Sequence, residues 1–308
     1  MANETLTSSL DTTATTTAYD LAYRNPLRAQ LLHDQFATVR STNQSHNGAQ
    51  VQFNFVADLT VSTTALADEI SDAPQEAMTD TVVNVAMAEY GRVVATTAKL
   101  RGQAFIPVDP IAAQKVGWTA GNVHDELARI ALAATANQYG ATGGTVDLAS
   151  NTLRKASTAL KRLNVQPFAN DRYVAVLHPD QEYDLRVESD AAGWRYFQQN
   201  QNPSGGGIGI SAGTVEGVYE GFNIMVSPRT GKSGSGATTD YTALVFGAEA
   251  LAKAFSRAPG FGDMAQIVIA NPTDNLKRVL KIGYYWLGGY AILRTDAAGK
   301  INSGSSLN

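Results

Sequence analysis

Apolar residues recur with two different periods along this chain, and the switches between them mark its elements. From Asn122 to Gly140, Val123, Leu127, Ile130 and Ala134 recur at offsets of four and three, which predicts a helix with one narrow apolar face. Asn122 supplies an N-cap, Asp125 and Glu126 fall in the first turn where the helix dipole favours acids, and Gly140 is the stop. Much of that face is alanine, so the helix is expected to lie close against a sheet, as a spine. A second helix is predicted from Asn25 to Arg40, opened by Pro26 and carrying Leu27, Leu31, Leu32, Phe36 and Val39 on one face. A third spans Ser150 to Asn164, with Leu153, Ala156, Leu160 and Leu163 on one side and Arg154, Lys155, Lys161 and Arg162 on the other. His178-Pro179-Asp180 opens a fourth.

Elsewhere the period is two. Val51, Phe53 and Phe55 alternate with Gln52 and Asn54, and a strand-like run returns at Thr81 to Thr97. About two dozen residues lie between them, and loops of that length usually act outside their own domain. Further strands are expected at Tyr173 to Leu177, Thr214 to Tyr219, Phe222 to Ser227, Tyr241 to Ala248, Gln266 to Ala270 and Val279 to Leu293. Leu100 to Val116 contains two prolines and reads as a connector, and Pro203 to Gly217 and Gly231 to Thr239 as glycine-rich loops. The order is not the regular alternation of a doubly wound sheet, so the expected class is α+β.

Composition sharpens this picture. The 308 residues suffice for one large domain or two modest ones, yet only 17% are charged, which is low for a free-standing monomer and points to partner subunits. Segment 46–98 holds seven acids and the single base Arg92, a net −6 against −4 for the whole chain, leaving +2 on the remainder. This charge split suits a long two-stranded arm with an acidic tip projecting from a slightly basic body, and equally a solvated acidic loop. There are no cysteines, which excludes disulfides, thiol nucleophiles and iron–sulfur clusters. The Thr/Ser/Ala-rich start lacks the basic and apolar blocks of a signal peptide, and no run reaches membrane-spanning length, so a reducing cytoplasm is the expected site of synthesis.

Candidate chemistry is sparse. Gly207 to Ala212 has dinucleotide-loop spacing but lacks the preceding strand and following helix that aim amides at phosphate. Thr230-Gly231-Lys232-Ser233 resembles the end of a P-loop, but the position of its first glycine is Val226 and no helix is predicted after it. His33, His46, His124 and His178 form no metal-type pair, and His124 with Asp125 and Glu126 reads as a helix start. Tyr284, Tyr285, Trp286 and Tyr290 read as core and interface aromatics. No catalytic, cofactor or metal residue is assigned.

Several longer stretches resemble the major capsid proteins of tailed bacteriophages with the Hong Kong 97-type fold, and more narrowly the N4-type major capsid family. They are AEYGRVV (Ala88 to Val94), YVAVLHPDQEYDLR (Tyr173 to Arg186), GGIGISAGTVEGVYEGFNIMVSP (Gly206 to Pro228), YTALVFGAEALAKAF (Tyr241 to Phe255) and NLKRVLKIGYYWLGGYAIL (Asn275 to Leu293). The likeness follows the same order over roughly residues 20–295, without the acidic-Thr-Pro pattern that often follows the arm's first strand.

The resemblance implies an N-terminal arm (1–45), an extended E-loop (46–98), a peripheral domain with the spine helix (99–140 and 251–308) and an axial domain (141–250). It implies a virion shell subunit, made in the host bacterial cytoplasm, that forms hexamers and pentamers around double-stranded DNA without cofactor or membrane. A portal is an expected partner, with scaffold or cement protein as further candidates. Phe53 and Phe55 would anchor the E-loop on a neighbour while Asp68, Glu69, Asp72 and Glu76 set its register. Some relatives weld their shells through an E-loop lysine; residues 46–98 contain none, so no such crosslink is expected. The alternatives are an encapsulin-like compartment and an enzyme using the glycine loops for phosphate.

Overall fold

The computed structural model describes residues 32–41, 48–63, 65, 75–104, 107–141, 146–168, 171–188, 217–257, 261–270 and 275–307. Its first half contains strands β1 (Ala37–Ser41), β2 (Gln50–Val56), β3 (Asp80–Ala86) and β4 (Ala88–Thr97), then helices α1 (Ala98–Gln103) and α2 (Val108–Ala133). Next come β5 (Gln138–Tyr139), α3 (Ser150–Arg162), β6 (Tyr173–Leu177) and α4 (Pro179–Val187). The remainder is strand: β7 (Gly217–Tyr219), β8 (Phe222–Val226), β9 (Gly231–Ser233), β10 (Asp240–Phe246), β11 (Leu251–Phe255), β12 (Gln266–Ala270), β13 (Val279–Ile292) and β14 (Ala298–Ser303).

Helix α2 is the spine, and it differs from expectation at both ends. It runs for 26 residues, about 39 Å at 1.5 Å per residue. The two prolines taken as marks of a connector sit at its beginning: Pro107 is the N-cap and Pro110 lies in the first turn, where a missing N–H breaks no helical bond. The helix stops at Ala133. Gly140 instead adopts φ +89° beside β14, where a Cβ would come within 2.4 Å of the Asn302 carbonyl oxygen. The buried face is Ala112, Val116, Ala120, His124, Ala128 and Leu132, whereas Ile130 of the expected stripe is 51% exposed. Small residues won that face because the helix lies nearly against the sheet; the Cβ position of Gly117 is 3.4 Å from Ile267 Cδ1.

The expected helix from Asn25 to Arg40 is also corrected. Residues 25–31 lie outside the described region, Asp34–Phe36 form one 3-10 turn, and Ala37–Ser41 pair in parallel with β11, from Ala37↔Leu251 to Ser41↔Phe255. β-branched Thr38 and Val39 suit an extended chain, and a ready strand edge supplies the backbone partners.

Two sheets carry the body. One has the order β5-β14-β10-β6-β8-β7, with β9 on β10. All five residues of β6 are buried, between β10 on one edge and β8 on the other, and Phe222, Leu244 and Phe246 join them in a core that includes Leu153 and Leu160 of α3 and Leu132 of α2. Helix α4 starts where predicted: His178 Nδ1 accepts from the Asp180 amide at 3.2 Å and Gln181 Oε1 accepts from the His178 amide at 3.1 Å, a reciprocal cap. β14, expected beside the spine helix with the rest of 251–308, crosses into this sheet between β5 and β10.

The second sheet has the order β1-β11-β13-β12, with β4 also on β13. β13 pairs with β4 from Val279 to Gly288, with β12 over Lys281–Tyr285 and with β11 over Gly288–Ile292. α2 covers one face of this sheet, placing Ala112, Val116 and Ala120 on Ile282 and Tyr284. The expected single run Thr81 to Thr97 therefore divides: β3 returns along β2, and β4 changes partner to β13.

Candidate assembly surfaces

The β2–β3 hairpin is an arm rooted on its own body. Alternation along β2 turns Val51 and Phe53 to one side, where they join Val85 and meet Ala252, Ala254 and Leu293. Phe53 is only 4% exposed and the Arg40 guanidinium lies 4.9 Å above its ring, so it anchors the arm within this subunit rather than on a neighbour. Phe55 is half-buried at the rim of the same cluster and lines an 810 Å³ groove between the hairpin and the end of β13. The crossing at the root depends on Gly289, where a Cβ would sit 2.0 Å from the Ala86 carbonyl oxygen.

Farther out the arm reverses its polarity. Val56 and Leu59 are exposed, Val61 is 84% exposed and Met78 72%. Glu76 stays within the arm: its carboxylate accepts from the Thr60 amide at 2.8 Å and from Thr60 Oγ1 at 2.7 Å, tying the two sides of the hairpin together. Asp68, Glu69 and Asp72 lie outside the described residues.

A second apolar surface lies at the far end of the other sheet. Among the described residues β12 pairs only with β13, and Ile267, Val268 and Ile269 are all exposed, as is Val93 on β4. Arg92, Lys99, Arg101 and Lys277 are exposed around this three-stranded ribbon. Arm and ribbon therefore share exposed apolar side chains; the described part of the arm carries Asp58, Glu76 and Asp80, whereas the ribbon has Glu89 beside these four bases, of which Arg101 pairs with Asp109 at 3.6 Å.

Between arm and spine is a polar seam that sequence reasoning missed. Lys253, 2% exposed in β11, lies 3.0 Å from Asp34 and 2.9 Å from Asp263. Tyr290 donates to Asp34 at 2.5 Å, His124 Nδ1 lies 3.2 Å from the Tyr290 hydroxyl, and the Ala265 amide donates to His124 Nε2 at 3.1 Å. Burial, then the Lys253 charge, lowers His124 to about 4, so it is neutral at pH 7. Burial and the Asp34 charge push the Tyr290 hydroxyl far up. Burial raises Asp125, but the hydrogen bond and charge of His33, and then Arg229, outweigh it and leave the carboxyl below its ordinary value. Asp125 accepts from the Leu32 and His33 amides at 2.8 and 2.6 Å.

His124 and Asp125 thus lie within the helix on the buried face, not at a helix start; Asp125 clamps the N-terminal segment to the spine, and His124 joins the spine to Tyr290 and Ala265. The readable signal for the seam was Lys253 itself, a charge inside the apolar run ALAKAF (250–255), because a buried cation requires partners.

Among the described residues no three His, Asp or Glu side chains converge as metal ligands. Gly231–Ser233 is a strand paired with β10, and Lys232 Nζ lies 5.4 Å from the Tyr241 ring, so the segment cannot act as a helix-backed phosphate loop. Gly207 to Ala212 and His46 lie outside the described residues. No helix among the described residues is long and apolar enough to cross a membrane.

Comparison with known proteins places this architecture. A family model described as Phage capsid protein matches residues 5–306, and the chain belongs to that family. The capsid of cyanophage P-SCSP1u is similar with a TM-score of 0.68 and 14% identity, covering 99% of this chain and 100% of that one. The head of Helicobacter pylori bacteriophage KHP40 gives 0.70 at 11% identity, and the capsid of Ralstonia phage GP4 gives 0.69 at 15%, each covering 99% of both chains. At these identities the likeness is one of fold. No curated protein matches the sequence. The chain has the α+β phage-capsid fold and is a major capsid protein, a structural component of the icosahedral virion head.

Proposed function

We propose that the subunit builds hexamers and pentamers by laying its arm across the ribbon of a neighbouring copy, around double-stranded DNA. The observation that carries this is the exposed apolar surface of the arm, Val61 and Met78 above all, on a hairpin whose Asp58, Glu76 and Asp80 oppose the bases around the ribbon. Each such contact is modest, and the closed shell gains its stability from repetition. Phe53 roots the arm, Phe55 borders the groove beside it, Glu76 stiffens it, and Asp68, Glu69 and Asp72 supply its acidic tip.

The same reading divides the chain as the family resemblance implies. Residues 1–45 form the N-terminal arm and 46–98 the E-loop. Residues 99–140 with 251–308 make the peripheral domain, from which β14 reaches across to pair with β10, and 141–250 the axial domain. The ordered set of matching stretches supports N4-type membership within the family. The role is structural, without catalysis or cofactor; a portal is a partner and scaffold or cement protein an additional one. Assembly in the host cytoplasm fits a chain without cysteine.

The test is assembly of a Leu59→Asp/Val61→Asp variant, followed by light scattering and negative-stain microscopy. Folded subunits that no longer form shells are expected, and normal shells would refute the arm's role. Boiled heads are expected to run as one subunit band, because segment 46–98 has no lysine to form the crosslink.

A further inference from the structure

The outward side of α3 is unlike either apolar surface. Leu153, Ala156 and Leu160 are buried, which leaves Arg154, Lys155, Lys161 and Arg162 pointing outward from a helix that contains no acid. Seven residues turn through nearly two full turns, so 154 lies under 161 and 155 under 162, about 10 Å apart along the axis. The helix is a ridge between two shallow grooves. One, of 430 Å³, is lined by Tyr139, Asn151, Lys155 and Arg162; the other, of 370 Å³, by Arg154, Thr158, Lys161 and Tyr219.

Two acids among the described residues come near the ridge, and each is already engaged. Glu220 pairs with Arg154 at 2.7 Å, and Glu188 accepts from the Ser150 amide at 2.9 Å at the helix start. Among the described residues no carboxylate lies within ion-pairing distance of Lys155, Lys161 or Arg162. The dipole at the helix C-terminus accounts for Lys161 and Arg162 but not for Arg154 and Lys155 half-way along.

We propose that this ridge is the surface through which the shell subunit meets duplex DNA, its cations facing the phosphates. The inference rests on the capsid reading above and names the surface for that partner. Lys161 and Arg162 stand about 10 Å along the helix axis from Lys155, close to the separation of phosphate rows across a major groove about 12 Å wide. The hydroxyls and amide of Thr158, Tyr139 and Asn151 add polar contacts, and base edges are not needed. Nucleic acid is favoured over a protein partner because the outward row of α3 is cationic and without an acid, in contrast to the exposed aliphatic rows of the arm and the ribbon, and nucleic-acid contacts are polar and cationic.

The experiment measures binding of unassembled full-length subunit to a 30-base-pair duplex by fluorescence anisotropy as salt is raised, for the parent and a Lys155→Gln/Lys161→Gln/Arg162→Gln variant. Each phosphate contact contributes about 0.9 to the slope of log affinity against log salt, so the variant should lose about 2.7 per bound subunit. An unchanged slope, or a parent with no salt-dependent binding, overturns the proposal whether or not shells form. Shell formation is followed separately. A parent that forms no shells even with scaffold protein supplied removes the proposed arm-on-ribbon assembly, whereas variant shells that fail while the slope is unchanged make the ridge a protein contact and leave that reading intact.

Discussion

Two five-residue runs, YVAVL in β6 and QIVIA in β12, look alike on paper and end in opposite surroundings. Every residue of β6 is buried, with strands on both edges and Leu153 and Leu160 of α3 in the same core. The first four residues of β12 are exposed, on a strand that has β13 on one edge and, among the described residues, no strand on the other. One sheet carries a complete core, while the other ends in half of one. An open apolar edge is a hazard in a monomer and useful in a shell subunit, where a neighbouring copy covers it. The arm repeats the lesson within one hairpin: its root is buried on the body, and its outer part displays Val61 and Met78.

The contrast can be broken most forcefully in the complete core. Phe222→Ala removes a fully buried ring and is expected to cost about 3–5 kcal/mol by denaturant unfolding, with assembly lost because the subunit itself fails. A loss near zero would mean that this sheet is not the stable half.

The seam between the regions is addressed by pH. His124 stays neutral in the folded state down to about 4, while an unfolded chain takes up that proton near 6.5. Between those values the unfolded state binds more protons. The stability is therefore fully present above 6.5, falls as pH drops towards 4 by at most about 1.4 kcal/mol per unit, and levels off below. His124→Gln should flatten that stretch of the pH–stability curve; a curve identical to the parent's would show that the seam does not report on folding.

A smaller change tests the arm's root. Gly289→Ala puts a methyl against the Ala86 carbonyl and is expected to cost about 1–3 kcal/mol as β3 shifts from β13. Faster amide exchange confined to residues 50–56 and 80–86 is the expected signature, and exchange spread evenly over both sheets would argue against a local hinge. The smallest effect on the subunit is predicted for Ile267→Ser with Ile269→Ser, within about 1 kcal/mol of the parent because both side chains are more than half exposed. Shells should nevertheless fail to form. A destabilisation equal to that of Phe222→Ala would erase the difference between the two sheets.

The elements that could be read in advance are those whose signals are local. Alternation of Val51 and Phe53 announced β2, proline behind His178 announced α4, and the leucines of α3 separated its buried side from its cationic one. The helix expected from Asn25 to Arg40 failed over 37–41 because a parallel partner more than two hundred residues away claimed that backbone. The spine helix was recognised only in its second half: its first half is stabilised by alanine and valine on β13, and its prolines read as breaks unless they are known to lie in the first turn. Phe53 was recognised as an anchor, but alternation gives the side of a strand and not the body against which that side packs.

By itself the sequence determined the elements with short-range causes, the charge asymmetry of 46–98, the absence of thiol chemistry and the class of the chain. Only the tertiary structure decided which face of α2 is buried, that β14 crosses between sheets, and that Asp34 meets Lys253 across 219 positions of chain. The physical reason is range. Caps, periods and turns are settled among residues a few positions apart, whereas burial and ion pairing depend on surfaces that exist only after distant strands have been brought together.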